Sequence, residues 1–248
     1  LFKNSNYYLI QVINYIQKLK PDVIVIENRP AYVMKVKAAC PQIPIVLNMQ
    51  SDVFSSISYM KPKDMISVSH TVDALITNSK SQQNTFTRRY PGFIGKSYGI
   101  HLGINTAPYE AARMDYENIR RWRERFGLTE EDPTLLFAGR LIEKKGVHLI
   151  LEAMPALIEK FPRLKLIITG SPRYGKNIKT SYMNRIKNMA DELKNHIVFT
   201  QFVMPENMPY IYQLADIVIT PSIWNEPFLL VNLEAMASMK PVVTTAMG

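Results

Sequence analysis

The chain has 248 residues, of which 47% are hydrophobic and 21% charged, and its formal net charge is +9. This is ordinary globular usage, without any run near the roughly 18 unbroken apolar residues of a membrane-spanning helix, so disordered and membrane-spanning classes drop out. A single cysteine, Cys40, leaves no internal disulfide and no cysteine cluster for zinc, which points to a reducing, cytoplasmic setting. The length suits one large domain or two ordinary ones. Leu1 at the start and an apolar strand-like run just before Gly248 make both ends read as cut. The charge is uneven: residues 1–106 hold 12 Lys and Arg against 5 Asp and Glu, and residues 107–248 hold 18 against 16.

In chain order, Asn4 and Ser5 precede the periodic YYLIQVINYIQKL, a helix that Pro21 stops. Short apolar runs at 22–27 (DVIVIE), 43–48, 73–77, 135–138, 164–169, 197–200 and 216–220 alternate with longer amphipathic segments. Continuous Val, Ile and Leu mark strands buried on both faces, and the intervening segments are long enough for crossover helices. The expected class is α/β, with parallel sheets covered on both sides. HLGINTAPYEAARM at 101–114 breaks the periodicity with Gly, Asn and Pro, which sets one domain at 1–106, a linker at 107–118 and a second domain at 119–248. RRWRER at 120–125 reads as an exposed face of the first helix of the second domain. A further helix opens at Gly146 and ends at the FPR of 161–163, and Met204, Met208, Met236 and Met239 read as core.

Two segments carry chemistry. After the strand TLLFA comes GRLIEKKG at 139–146, a glycine turn with Arg140 and Lys145 just before a helix. A planar guanidinium and a mobile ammonium together suit a diphosphate. After DIVITPS comes WNEPFLLVNLEAMASMKPVV, where Pro227 fits the first position of a helix whose free amides would face the carboxyl edge of the sheet. Glu226 and Glu234, eight residues apart, would then be separated by roughly 12 Å of helix. That span suits a nucleotide sugar, with its hexose at Glu226, its diphosphate at the amides and its ribose at Glu234. The plain structural reading, a capping Glu226 and a surface Glu234, is weakened by the apolar run LVNLEAMA around Glu234.

In this combination and order the segments resemble the retaining glycosyltransferases of family 4, whose GT-B fold has two Rossmann-like domains facing a cleft. The resemblance rests on GRLIEKKG, ITGSPRYG at 168–175, FTQFV at 199–203, and E-x7-E from Glu226 to Glu234 followed by AMA. It is thinner in the first domain, where NRP at 28–30, TNSKSQQNTF at 77–86 and HLGIN at 101–105 carry it. It implies that Gly139, Arg140 and Lys145 hold the donor diphosphate, that Glu226 contacts the transferred sugar as the catalytic residue, and that Glu234 holds the ribose. Gly170 and Ser171 would lie near the donor, main-chain groups around Phe202 and Val203 would meet the base, and Phe228, Leu229 and Leu230 would stand beside the phosphates. Asn28, Arg29 and Gln50 would belong to the acceptor side. Gln50 stands where the family often has His, Leu229 stands where it usually has Gly, and the family's Gly-rich first loop would precede the first residue shown. NRP, GSPRYGKN and WNEP are most similar to the spore-coat or cell-envelope subgroup.

The resemblance implies transfer of a hexose from a nucleoside-diphosphate sugar to a glycan, lipid or cell-envelope acceptor, with no cofactor. No D-x-D is present, and His70, His101, His148 and His196 lack ligand spacing, so no metal site is expected; His148 and His196 read as helix-surface and strand-start residues. Fixed cations and a helix end would stabilise the leaving diphosphate instead. The basic first domain suggests an anionic acceptor, or peripheral contact with an anionic membrane or spore coat. Nucleic acid is not expected, since that basic half lacks interleaved aromatic residues. A non-catalytic coat or carbohydrate-binding protein of the same fold and a nucleotide-sugar epimerase are the alternatives.

Overall fold

The computed structural model describes residues 5–51, 60–172 and 180–247. Two compact units divide between Leu102 and Gly103. The first contains α1 (Ser5–Leu19), β1 (Ile24–Glu27), α2 (Val33–Ala39), β2 (Ile45–Met49), α3 (Pro62–Thr71), β3 (Ala74–Thr77), α4 (Lys80–Arg89) and β4 (Ser97–Gly99). Its strands are parallel in the order β1-β2-β3-β4. Local chemistry sets the helix starts: Pro62 opens α3, and the Ser79 hydroxyl accepts the Gln82 amide at 3.1 Å to cap α4.

The core of this unit joins Ile24, Ile26, Ile45, Leu47 and Leu75 of the sheet to residues of all four helices, such as Leu9, Val36, Val68 and Phe86. Alternate strand residues point the other way, and Val25 is 53% exposed. Among the described residues the helices of this unit therefore share one core on one sheet face, whereas the apolar runs were expected to be covered on both. β4, with only Ser, Tyr and Gly, carries no apolar run and was not anticipated.

The second unit contains α5 (Ala107–Met114), α6 (Tyr116–Arg125), β5 (Thr134–Ala138), α7 (Val147–Lys160), β6 (Lys165–Thr169), α8 (Ser181–Asp191), β7 (Ile197–Gln201), α9 (Met208–Gln213), β8 (Ile217–Thr220), α10 (Leu230–Ala237) and β9 (Val242–Thr244). The parallel order β7-β6-β5-β8-β9 places β5 at the centre, with β6 and β7 running outward on one side and β8 and β9 on the other. Here both faces are covered. Leu135, Phe137, Leu166 and Ile168 pack with α7 and α8, while Leu136, Ala138, Ile167 and Val218 pack with residues of α5, α6, α9 and α10. Every residue of β5 is buried, as a central strand requires.

Residues 107–118, expected as a linker, form α5 and the start of α6 and belong to this unit. Tyr109, Ile119 and Trp122 bury apolar surface against its core, which outweighs the Gly, Asn and Pro punctuation just ahead of them. α6 has no buried residue, and its basic run is held locally by Arg121 with Glu117, Arg120 with Glu124, and Arg125 over the Trp122 ring. Met204, Met236 and Met239 are 51%, 64% and 69% exposed rather than core; only Met208 packs inward. His148 is buried instead of lying on a helix surface, with Nδ1 3.0 Å from the Tyr182 hydroxyl. His196 does precede a strand, and its Nδ1 lies 2.8 Å from the Leu164 carbonyl.

Both units start their strands with the same device. Asp73 Oδ2 accepts the Ile45 amide at 2.8 Å while its own amide donates to the Ile45 carbonyl at 2.9 Å. Asp216 Oδ2 accepts the Thr134 amide at 2.8 Å and its amide donates to the Thr134 carbonyl at 2.8 Å. Each carboxylate thereby satisfies a strand-initial amide that the parallel ladder leaves open.

Candidate functional site

In the second unit the strand order reverses between β5 and β8, and the loops leaving their carboxyl ends are where an open α/β sheet takes its ligands. Two glycines allow these loops to approach. At Gly146 the backbone is left-handed (φ 74°), and a Cβ would stand 2.0 Å from the Pro221 carbonyl oxygen. At Gly170 (φ 134°) a Cβ would stand 1.9 Å from the Gly139 carbonyl oxygen. Hydrogen bonds fasten the same loops: Gly139 to the Thr169 carbonyl at 3.1 Å, Leu141 to Ser171 at 3.1 Å, and Ile223 to Lys144 at 2.9 Å.

A cavity of about 300 Å³ opens above β5 and β6. Gly139, Arg140, Gly170, Ser171, Val203 and Glu234, all expected at the donor, line it together. Phe202, expected near the base, lines it too. Tyr109, Met208 and Val231 add apolar wall. Arg140 is exposed and has no ion-pair partner among the described residues, so its full charge is offered to the cavity mouth. Glu234 is half-buried and accepts the Tyr212 hydroxyl on Oε2 at 2.6 Å. Tyr212 is fully buried, and burial together with the Glu234 charge holds its phenol well above the ordinary range. The Tyr109 phenol is pushed up to about 12 by burial, by the Glu234 charge and by hydrogen bonding to that carboxylate.

Lys145 and Glu226 lie outside this lining and instead form their own cluster. Lys145 Nζ stands 2.5 Å from Glu226 Oε2, which also accepts from Trp224 Nε1 at 2.7 Å and Ser222 Oγ at 3.2 Å. Lys144 Nζ sits 4.6 Å from the Trp224 ring centroid and covers that indole. Glu226 is therefore not a simple helix cap. Phe228, Leu229 and Leu230 also stand outside the cavity lining. α10 begins at Leu230, three residues beyond Pro227, because Leu229 keeps an extended backbone (φ −109°, ψ 97°). The spacing of Glu226 and Glu234 is thus not a helical rise: the first precedes the helix and the second lies within it.

In the first unit, Asn28 has a left-handed backbone (φ 49°) and its Oδ1 accepts the amides of Gln50 at 2.8 Å and Ser51 at 3.1 Å. Asn78 Nδ2 donates to the Gln50 carbonyl at 2.9 Å, and Gln82 Nε2 to the Ser51 carbonyl at 2.9 Å. The main chain at the end of β2 is held from the ends of β1 and β3 and from α4, with Arg29 exposed nearby in sequence. Of the resemblance motifs, Arg173, Tyr174 and Gly175 of ITGSPRYG and Lys176 and Asn177 of GSPRYGKN lie outside the described residues.

Tyr109 and Tyr212 were missed. Tyr212 sits in an apolar run that reads as core, which it is; only its partner, a carboxylate one helix away, distinguishes it. Among the described residues no helix is long and apolar enough to cross a membrane.

The chain is 29% identical over 236 residues to Spore coat protein SA of Bacillus subtilis (strain 168), covering 94% of this chain and 62% of that protein. It is 29% identical over 231 residues to the Putative glycosyltransferase YtcC of the same organism, covering 92% of this chain and 56% of that protein. The chain thus spans about three-fifths of the length of these relatives. The crystal structure of Anabaena HepE in complex with UDP superposes with a TM-score of 0.78 at 21% identity, covering 97% of this chain and 63% of that one, a likeness of fold. The two-unit α/β architecture is that of the GT-B glycosyltransferases. The profile of glycosyl transferases group 1 matches residues 118–248, which contain Arg140, Lys145, Glu226 and Glu234, and the chain belongs to that family.

Proposed function

We propose that the protein containing this chain is a retaining hexosyltransferase of family 4 that takes its sugar from a nucleoside diphosphate and works without a metal. The observation that carries this is the cavity in which Gly139, Arg140, Gly170, Ser171 and Val203 share one lining with Glu234. One end offers an uncompensated guanidinium and glycine backbone for phosphate, and the other a carboxylate in apolar surroundings for sugar hydroxyls. The amides at the start of α10 lack intrahelical partners and add positive potential for the departing diphosphate. Glu226 contacts the transferred hexose, and Lys145 divides its charge between Glu226 and the diphosphate. Names among the relatives support a glycan, lipid or cell-envelope acceptor, and the match to a spore coat protein supports the spore-coat or envelope subgroup. A cytoplasmic protein peripheral to an anionic membrane or coat fits the basic first unit.

The test is calorimetric titration of UDP, GDP and ADP with chelator present. One of them binds, and Arg140→Ala weakens that binding by about 10- to 100-fold, the range for a charge-assisted hydrogen bond. Loss of binding on chelation refutes the metal-free mechanism, and equal affinity in Arg140→Ala refutes the phosphate site.

A further inference from the structure

Glu234 presents two acceptor oxygens and a charge in a cavity whose other walls are largely apolar. A carboxylate so placed is matched by a ligand with two adjacent hydroxyl donors, and it discriminates only if its plane is fixed. Two phenols act on it. Tyr212, fully buried in α9, donates to Oε2 at 2.6 Å from beneath. Tyr109, half-buried on α5, packs edge-on against Tyr212 with ring centroids 6.0 Å apart and forms cavity wall beside the carboxylate. α5 precedes residues 118–248, so this wall is built by sequence outside the family profile.

We propose that Tyr212 and Tyr109 are positioning residues that fix the Glu234 carboxylate for a ribose diol, and so set the preference for ribonucleoside over 2′-deoxynucleoside diphosphates. The inference rests on the nucleotide reading above. Burial leaves the Tyr212 hydroxyl no water to exchange for Glu234, so removing it frees the carboxylate to turn while the ring still fills its place. Tyr109 acts on the same group from the cavity side, and its hydroxyl can be removed without opening the core.

The experiment measures dissociation constants of the full chain for the bound nucleoside diphosphate, UDP, GDP or ADP, and for its 2′-deoxy counterpart. Wild type favours the ribo form about tenfold or more. Tyr212→Phe loses most of that ratio, mainly by weakening the ribo form, and approaches Glu234→Gln. Tyr109→Phe, which keeps the ring, moves the ratio in the same direction and carries the test should Tyr212→Phe fail to fold. A wild-type ratio in Tyr109→Phe and in any folded Tyr212→Phe overturns the proposal, as does equal weakening of both nucleotides, which is what packing alone would give. Absence of wild-type binding to all three diphosphates defeats the nucleotide reading itself, a result distinct from binding with an unchanged ratio.

Discussion

Lys145 Nζ and Glu226 Oε2 meet at 2.5 Å across 81 positions of sequence, joining the loop after β5 to the loop after β8. The side chains retain 14% and 10% exposure. Removing either partner strands a nearly buried charge. Lys145→Ala or Glu226→Ala is therefore expected to cost about 2–3 kcal/mol, somewhat below the roughly 3–5 kcal/mol for fully buried pairs. The double variant should cost less than the two singles together, by about 1–3 kcal/mol of coupling. Urea unfolding of all four proteins checks this, and additive losses would dissolve the pair.

The approach of the β5 and β6 loops depends on Gly170, where a Cβ would meet the Gly139 carbonyl oxygen at 1.9 Å. Backbone on both sides of that contact cannot rotate away. Gly170→Ala should destabilise the second unit by at least about 2 kcal/mol and weaken nucleoside diphosphate binding tenfold or more, because the cavity floor shifts. Thermal unfolding and titration read the two effects separately. Unchanged affinity in the folded variant would show that the loop crossing does not shape the ligand site.

Asp132 is 7% exposed and accepts Thr129 N at 2.7 Å, Thr129 Oγ1 at 2.8 Å and Arg163 Nε at 3.2 Å. The Thr129 amide, followed by the Thr129 hydroxyl and Arg163, holds its carboxyl below the ordinary range against the opposing effect of burial. Because the folded value is depressed, the associated stability is present above the unfolded value near about 3.9 and is lost as pH falls through the folded value. Wild type should thus exceed Asp132→Asn in stability at pH 7, with the difference shrinking below about pH 4. A gap independent of pH from 7 to 3 would show that the charge is not what Asp132 contributes.

The basic first unit offers some of its lysines and withholds others. Lys37 is engaged by Asp73 at 3.6 Å and by the Ile43 carbonyl at 3.2 Å, whereas Lys61 and Lys63 are exposed at the start of α3. If the acceptor or the surface bearing it is anionic, Lys61→Ala with Lys63→Ala should raise the apparent acceptor KM severalfold at low salt. Physiological salt should narrow the difference, since exposed attractions are screened beyond roughly 8–10 Å. Donor KM should stay level. An acceptor KM indifferent to both changes would make these charges a solubilising surface.

Of the nine strands among the described residues, seven were legible as apolar runs because burial in parallel sheets leaves little else in them, and β9 lies in the strand-like run read before Gly248. β4 was not, since its three residues carry no such run. The turn residues Gly139, Gly146 and Gly170 were legible as motif, but what they accommodate, Pro221 and a second glycine's carbonyl, is fixed only by three-dimensional approach. The start of α10 was misread because Pro227 suits a first helical turn, while the engagement of Glu226 by three side chains draws the chain through an extended Leu229 first. Tyr109 escaped notice because segment 107–118 reads as a break in periodicity, although α5 is amphipathic enough to bury that ring.

Asp73 and Asp216 tie down the amino ends of neighbouring strands with a charge the ladder itself does not supply. Register is thereby decided at the end of each sheet remote from the ligand loops. The opposite ends can then lengthen, shorten or change composition without sliding a strand against its neighbour. A chassis indexed in this way lets one scaffold trade one ligand for another through its loops alone, with the cost of each experiment in sequence confined to the rim.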